Sequence, residues 1–178
     1  MSRLRTLTAV VVSAVSLFAV PAALAHTSTV GNSSGMPNAN ICLLSFDCTY
    51  VNYKHGKPTD VVKHSGTLVS WSLNAASLGG ETQLRILRPV GHGKFKFVHS
   101  SSIETILGGD LNTFSTHIKV RAGDVLALTN ATSGLYMEDA PVGTCVRYFD
   151  SSRTDGSTGK PNRVWPQLRL LLSAEVKH

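Results

Sequence analysis

Helical periodicity is missing from residues 26–178: no stretch of useful length repeats apolar residues at intervals of three and four, so an α-helical or α/β design is excluded. Cysteine is scarce, with three in 178 residues, and no Cys-x-x-Cys pair occurs, which removes the usual thiolate zinc signatures. There is no cluster of five or six Lys or Arg, and aromatics do not interleave with the basic residues. A nucleic-acid partner is therefore not expected. Past the first 25 residues no run is apolar enough to span a bilayer, so no membrane association is expected after that segment. No spacing links any two of Glu104, Asp110, Glu138 and Asp139 into a carboxylate pair. No catalytic residue is assigned, and no tightly specified cofactor is expected.

The first 25 residues have the form of an export leader. Arg3 and Arg5 supply charge, Leu7 to Val20 is apolar, Pro21 interrupts the run, and Ala23-Leu24-Ala25 offers a small-residue cleavage site. Cleavage there would leave a chain beginning at His26, with a secreted or extracellular life. The whole sequence carries 17 basic and 11 acidic residues; without Arg3 and Arg5 the net charge falls from +6 to +4. That mild basic bias would suit loose attraction to anionic envelope polymers.

In an oxidising compartment three cysteines imply one bridge and one leftover thiol. A Cys42–Cys48 disulfide, closing a small loop ahead of the first strand of the core, is expected in preference to a bridge from either residue to Cys145. Residues 26–40 are rich in Ser, Thr, Gly, Asn and Pro, and read as a flexible, extended arm leading into a β-sandwich domain over 41–178.

What is present is a repeated two-residue alternation. In Gly66 to Asn74, Val69, Trp71 and Leu73 alternate with Ser70, Ser72 and Asn74, giving one apolar and one polar face. TQLRILRP and KFKFVHS follow, joined by Val90-Gly91-His92-Gly93, so a three-stranded meander is expected with Leu84, Ile86, Phe95 and Phe97 facing the core together with Trp71. Thr113 to Leu128 reads as a second hairpin turning at Arg121-Ala122-Gly123-Asp124. CTYVNY, TCVRYF and LRLLLSAEV supply further strands, the last with Leu168, Leu170, Leu172, Ala174 and Val176 on one face. About eight short strands predict an all-β, antiparallel two-sheet sandwich, jelly-roll-like, with an immunoglobulin-like sandwich as the alternative.

CTYV, GTLVSWSLNAA, LRILRPVGHGKFKFV, KVRAGDVLAL and LRLLLSAEV occur in that order from about Cys48 to Val176. In this the chain resembles a group of poorly characterised secreted β-sandwich proteins of actinobacterial type, which have no assigned activity. The resemblance implies the sandwich and an exported life, and it carries over no catalytic residue.

These features together suggest a non-catalytic binding protein for an envelope component, a glycan or a protein. The expected contacts are the loops or the outward sheet face near Arg85, Lys94, Lys96 and His117. The alternative is an extracellular polysaccharide-active enzyme, either a hydrolase or a copper oxygenase. The second form would use His26 as an N-terminal metal ligand, with His55, His64, His92, His99 or His117 as a second. Gly108-Gly109-Asp110 and Gly123-Asp124 are weak calcium candidates, since Asp in such turns more often caps backbone groups.

Overall fold

The computed structural model describes residues 26–39, 48–76, 80–130, 136–151 and 153–178. The expected leader and Cys42 lie outside the described residues. Fifteen strands are described, all pairing antiparallel, where about eight were expected. They form two main sheets in a sandwich-like arrangement.

The smaller sheet runs β1 (Thr27–Asn32), β15 (Leu172–Lys177), β4 (Gly66–Asn74), β8 (Leu111–Val120). The larger runs β12 (Thr158–Gly159), β6 (Lys94–Ser100), β5 (Gly80–Gly91), β9 (Val125–Asn130), β2 (Cys48–Lys54), β11 (Thr144–Phe149), β13 (Arg163–Pro166). Two short strands extend it, β3 (Lys57–Pro58) on β2 and β7 (Glu104–Ile106) on β5. A separate pair joins β10 (Met137–Asp139) to β14 (Leu168–Leu170).

Leu68, Trp71, Leu73, Leu172, Ala174 and Val176 of the small sheet meet Tyr50, Leu84, Ile86, Leu126, Leu128 and Val146 of the large one, and all are buried. Trp71 is fully buried, with its ring 4.7 Å from that of Phe114, as the alternation in β4 predicts for a core anchor. Val69 departs from the expected phase. The register slips between Leu68 and Ser70 against β8, and between Glu175 and Val176 against β15, so Leu68 takes the inward place and Val69 becomes the extra residue of a bulge.

The opposite face of the large sheet is apolar too. Val51, Tyr53, Leu87, Phe95, Phe97, Val125, Ala127 and Phe149 form a second core there. Phe95 and Phe97 therefore do not share the core face of Leu84 and Ile86. A bulge at Val98 on β6, between the pairs Ile86–His99 and Leu87–Phe97, changes the phase of the β5–β6 ladder.

This second core is enclosed because the large sheet rolls up. Seven strands side by side would span roughly 29 Å. Yet β12 and β13, at opposite ends of the strand order, are joined by three residues, a reach of at most about 14 Å. The edges must approach each other. In agreement, a side chain at Gly159 on β12 would meet Phe149 of β11 at 3.3 Å.

Three expectations about connections are corrected by this arrangement. Strand β4 does not pair with β5, so Gly66 to His99 is not a continuous meander; β5 and β6 form the hairpin, while β4 pairs with β8 and β15 in the other sheet. The turn at Arg121–Asp124 forms where expected but carries the chain from one sheet to the other instead of closing a hairpin. Asp124, 1% exposed, accepts from the Arg121 N–H and from both Nε and an Nη of Arg88 at 2.8–2.9 Å, which locks that corner. Finally, residues 27–32 are a strand rather than a loose arm. Main-chain pairing with β15 demands little side-chain hydrophobicity, and Val30 alone of these six residues is buried.

Candidate functional site

Where β1 of the small sheet approaches β2 and β14, a cleft of about 560 Å³ opens. Its walls come from Thr29–Asn32, from Asn52 and Lys54 of β2, from Thr59-Asp60-Val61 and Lys63, from Glu138 and Asp139 of β10 with Ala140, Pro141 and Thr144, and from Arg169-Leu170. Three carboxylates line it, Asp60, Glu138 and Asp139, with three cations, Lys54, Lys63 and Arg169, and no aromatic side chain.

The floor is built around Asn52. Strand β2 is covered on both faces, so a polar side chain within it needs internal partners. The Asn52 amide supplies three bonds: Nδ2 donates to Asp60 Oδ2 at 2.8 Å and to the Leu170 carbonyl at 2.9 Å, while Oδ1 accepts from the Leu170 N–H at 2.7 Å. One side chain thus completes the backbone pairing of β14 and fixes Asp60. Thr59 Oγ1 donates to the other Asp60 oxygen at 3.0 Å. Burial pushes the Asp60 carboxyl above the ordinary carboxylate range, against the two hydrogen bonds and the charge of Arg169, which pull it down.

The rim is a second network. Glu138 Oε1 accepts from Arg169 Nε at 2.6 Å, and its other oxygen accepts from the Met36 N–H at 3.0 Å. Arg169 also donates to the Ser34 carbonyl at 3.0 Å, and Asn38 Nδ2 donates to Asp139 at 3.1 Å. Glu138 and Asp139, which sequence spacing linked to nothing, are brought together with Asp60 by β10 pairing with β14. Asp60 itself reads as one more turn residue in Lys54–Asp60, and only its burial distinguishes it.

The expected surface residues do not form one patch. Arg85 is 6% exposed and belongs to the interior, correcting its place on an outward binding face. Its strand lies mid-sheet with both faces covered. The guanidinium sits 5.2 Å from the centre of the Phe97 ring, donates to the Arg153 carbonyl, and lies 3.4 Å from Asp155. Lys94 and Lys96 are exposed on β6, whereas His117 is exposed on β8 of the other sheet. Asp124, a calcium candidate, has its carboxylate engaged by Arg88.

Cys145 is a free thiol and Cys48 is buried and not free. His26 is exposed, pairing through its backbone with His178. Among the described residues no three His, Cys, Asp or Glu side chains converge as they stand on a metal position, and no helix is long and apolar enough to cross a membrane. No family profile, curated protein or solved structure matches the chain.

Proposed function

We propose that this protein is an exported, non-catalytic binding module whose ligand, an envelope component and a glycan before a protein, docks in the cleft between β1, β2 and β14. The observation that carries this reading is the state of the cleft's carboxylates. Asp60 is held by Asn52 and Thr59, Glu138 by Arg169 and the Met36 N–H, and Asp139 by Asn38. Groups fixed in this way present a prearranged set of donors and acceptors. They lack the unencumbered acid and base pair that hydrolysis of a glycoside requires. The raised Asp60 carboxyl, lying in the same cleft, supports this reading.

Export rests on the leader-like first 25 residues, and membership of the actinobacterial-type group on the quoted strands. The Cys42–Cys48 bridge belongs to the same proposal. Its support is the free state of Cys145, which weighs against a bridge to that residue, together with the proposed export.

The test is co-sedimentation of residues 26–178 with purified envelope polysaccharide. The wild-type chain should pellet, and Lys54→Ala/Lys63→Ala, which alters two exposed cleft residues, should pellet less. Protein that stays wholly in the supernatant, or a double variant that sediments like wild type, refutes the assignment. Release of reducing ends from the polysaccharide would instead establish the hydrolase alternative.

A further inference from the structure

The register of β1 against β15 extends one residue past the strand ends. His26 and His178 exchange two backbone hydrogen bonds, His26 N–H to the His178 carbonyl at 2.9 Å and His178 N–H to the His26 carbonyl at 2.8 Å. This holds two histidines far apart in the sequence side by side. A third joins them from the segment that precedes β4. The His64 ring lies 4.7 Å from that of His178, nearly parallel at 20°, and the His26 ring lies 6.4 Å from His178 on a 29° tilt. All three side chains are exposed. Among the described residues the one side-chain hydrogen bond to these rings is a long contact, 3.5 Å, between Ser28 Oγ and His178 Nδ1.

We propose that His26, His64 and His178 form a surface site for a late first-row divalent ion, Zn²⁺ or Cu²⁺. Imidazole nitrogen is a preferred ligand of both ions. With a metal–nitrogen bond of about 2 Å, rings sharing one tetrahedral ion have centres roughly 5 Å apart, between the two separations seen here. The rings stack rather than converge. Binding therefore requires the rings to turn about their side-chain torsions, a motion that their exposure permits without disturbing either core. Two of the three backbones are fixed by the ladder pair, so little of the ordering cost falls on binding. A bound ion would fasten β1, β15 and the approach to β4 together. The site needs only imidazoles and is independent of the cleft and of leader removal. It differs from a copper site centred on the amino group of His26, and it uses His178, which has no sequence neighbour to suggest it.

Calorimetric titration of untagged residues 26–178 with ZnCl₂ tests the proposal. One equivalent should bind. His64→Ala and His178→Ala should each weaken it by at least about tenfold, or 1.4 kcal/mol, and His99→Ala, remote on β6, should leave it unchanged. Adding Gly-Ser before His26 should also leave it unchanged. Three results overturn the proposal: no one-to-one event, His64→Ala and His178→Ala that bind as wild type, or binding abolished by the Gly-Ser extension, which would make the amino group the ligand. Imidazole proton resonances in the wild-type chain give a reading that depends on no variant: zinc should shift those of His26, His64 and His178 and spare His99, and equal shifts in all would refute the site.

Discussion

Asn52→Ala is expected to be among the most damaging polar substitutions in the chain, and the structure sets its size. The change removes three hydrogen bonds and leaves three groups behind: one oxygen of Asp60, and the N–H and C=O of Leu170. A bond whose loss leaves its buried partner unsatisfied costs about 1–3 kcal/mol, more than the roughly 1 kcal/mol net worth of an ordinary bond. Water from the adjoining cleft can reach part of this cluster, which brings the total to about 3–5 kcal/mol. Against an ordinary domain stability of about 5–15 kcal/mol, that is a large fraction. The loss should also depend on pH. Asn52 favours the charged form of Asp60, so without it the folded carboxyl titrates higher still. A raised carboxyl removes stability as pH rises from the unfolded value, about 4, to the folded one. The difference between wild type and variant should thus be smallest below that window and largest above it. Urea unfolding at several pH values measures both effects. A loss under about 1 kcal/mol, or one equal at all pH values, would show that water substitutes for the amide and that Asn52 does not organise the floor.

Asp60→Asn should keep the bond from Asn52 while removing the buried charge; chemical denaturation should find it no less stable than wild type at neutral pH and should find the fall in stability above about pH 4 abolished. Trp71→Ala should cost about 3–5 kcal/mol by the same assay, as expected for truncating a fully buried aromatic, with Trp71→Phe costing clearly less because the indole N–H has no hydrogen-bond partner among the described residues. Arg88→Ala strips the buried Asp124 carboxylate of a two-point partner and should lower the midpoint of thermal unfolding by an amount equivalent to about 2 kcal/mol, moderated because Arg88 is itself 30% exposed.

The strands were legible because alternation is a local signal, and their assignment to sheets was not because pairing is not. Gly66 to Asn74 and Thr113 to Val120 both show the period of two, and both are strands. Nothing within either segment says that β4 and β8 are partners of each other rather than of β5 and β9. The turn chemistry at Gly123-Asp124 is the same whether the chain folds back beside itself or crosses to a facing sheet. Bulges were equally invisible: one extra residue at Val69, and another near Val98, moved Leu68 inward and sent Phe97 to the second core. In β2 the near-continuous burial of Cys48 to Tyr53 has its counterpart in a sequence with few charges, and there the reason lies in the rolled sheet, which leaves that strand no solvent face.

The same distinction explains why the candidate site was found by coordinates and not by motif. Counting positions from Leu84 and Ile86 puts Arg85 outside, which is sound only for a sheet with one wet face. Once the large sheet encloses its own core, the alternate face is interior, and Arg85 must be satisfied by Phe97, Asp155 and the Arg153 carbonyl. Polar residues that resist this closure collect where the sheets part. Asn52, Asp60, Glu138 and Arg169 come from three separated stretches of sequence, and their meeting depends on the C-terminal run dividing at Leu171. Residues Leu168–Leu170 turn to β10, and Leu172–Lys177 joins β1 and β4. The alternating residues Leu168, Leu170, Leu172, Ala174 and Val176 are all buried, and so is Leu171, which the alternation would turn outward; the division is what opens the cleft. A ligand that enters there touches both sheets at once, so binding at this position should stiffen their junction and raise the unfolding temperature in proportion to the logarithm of ligand concentration.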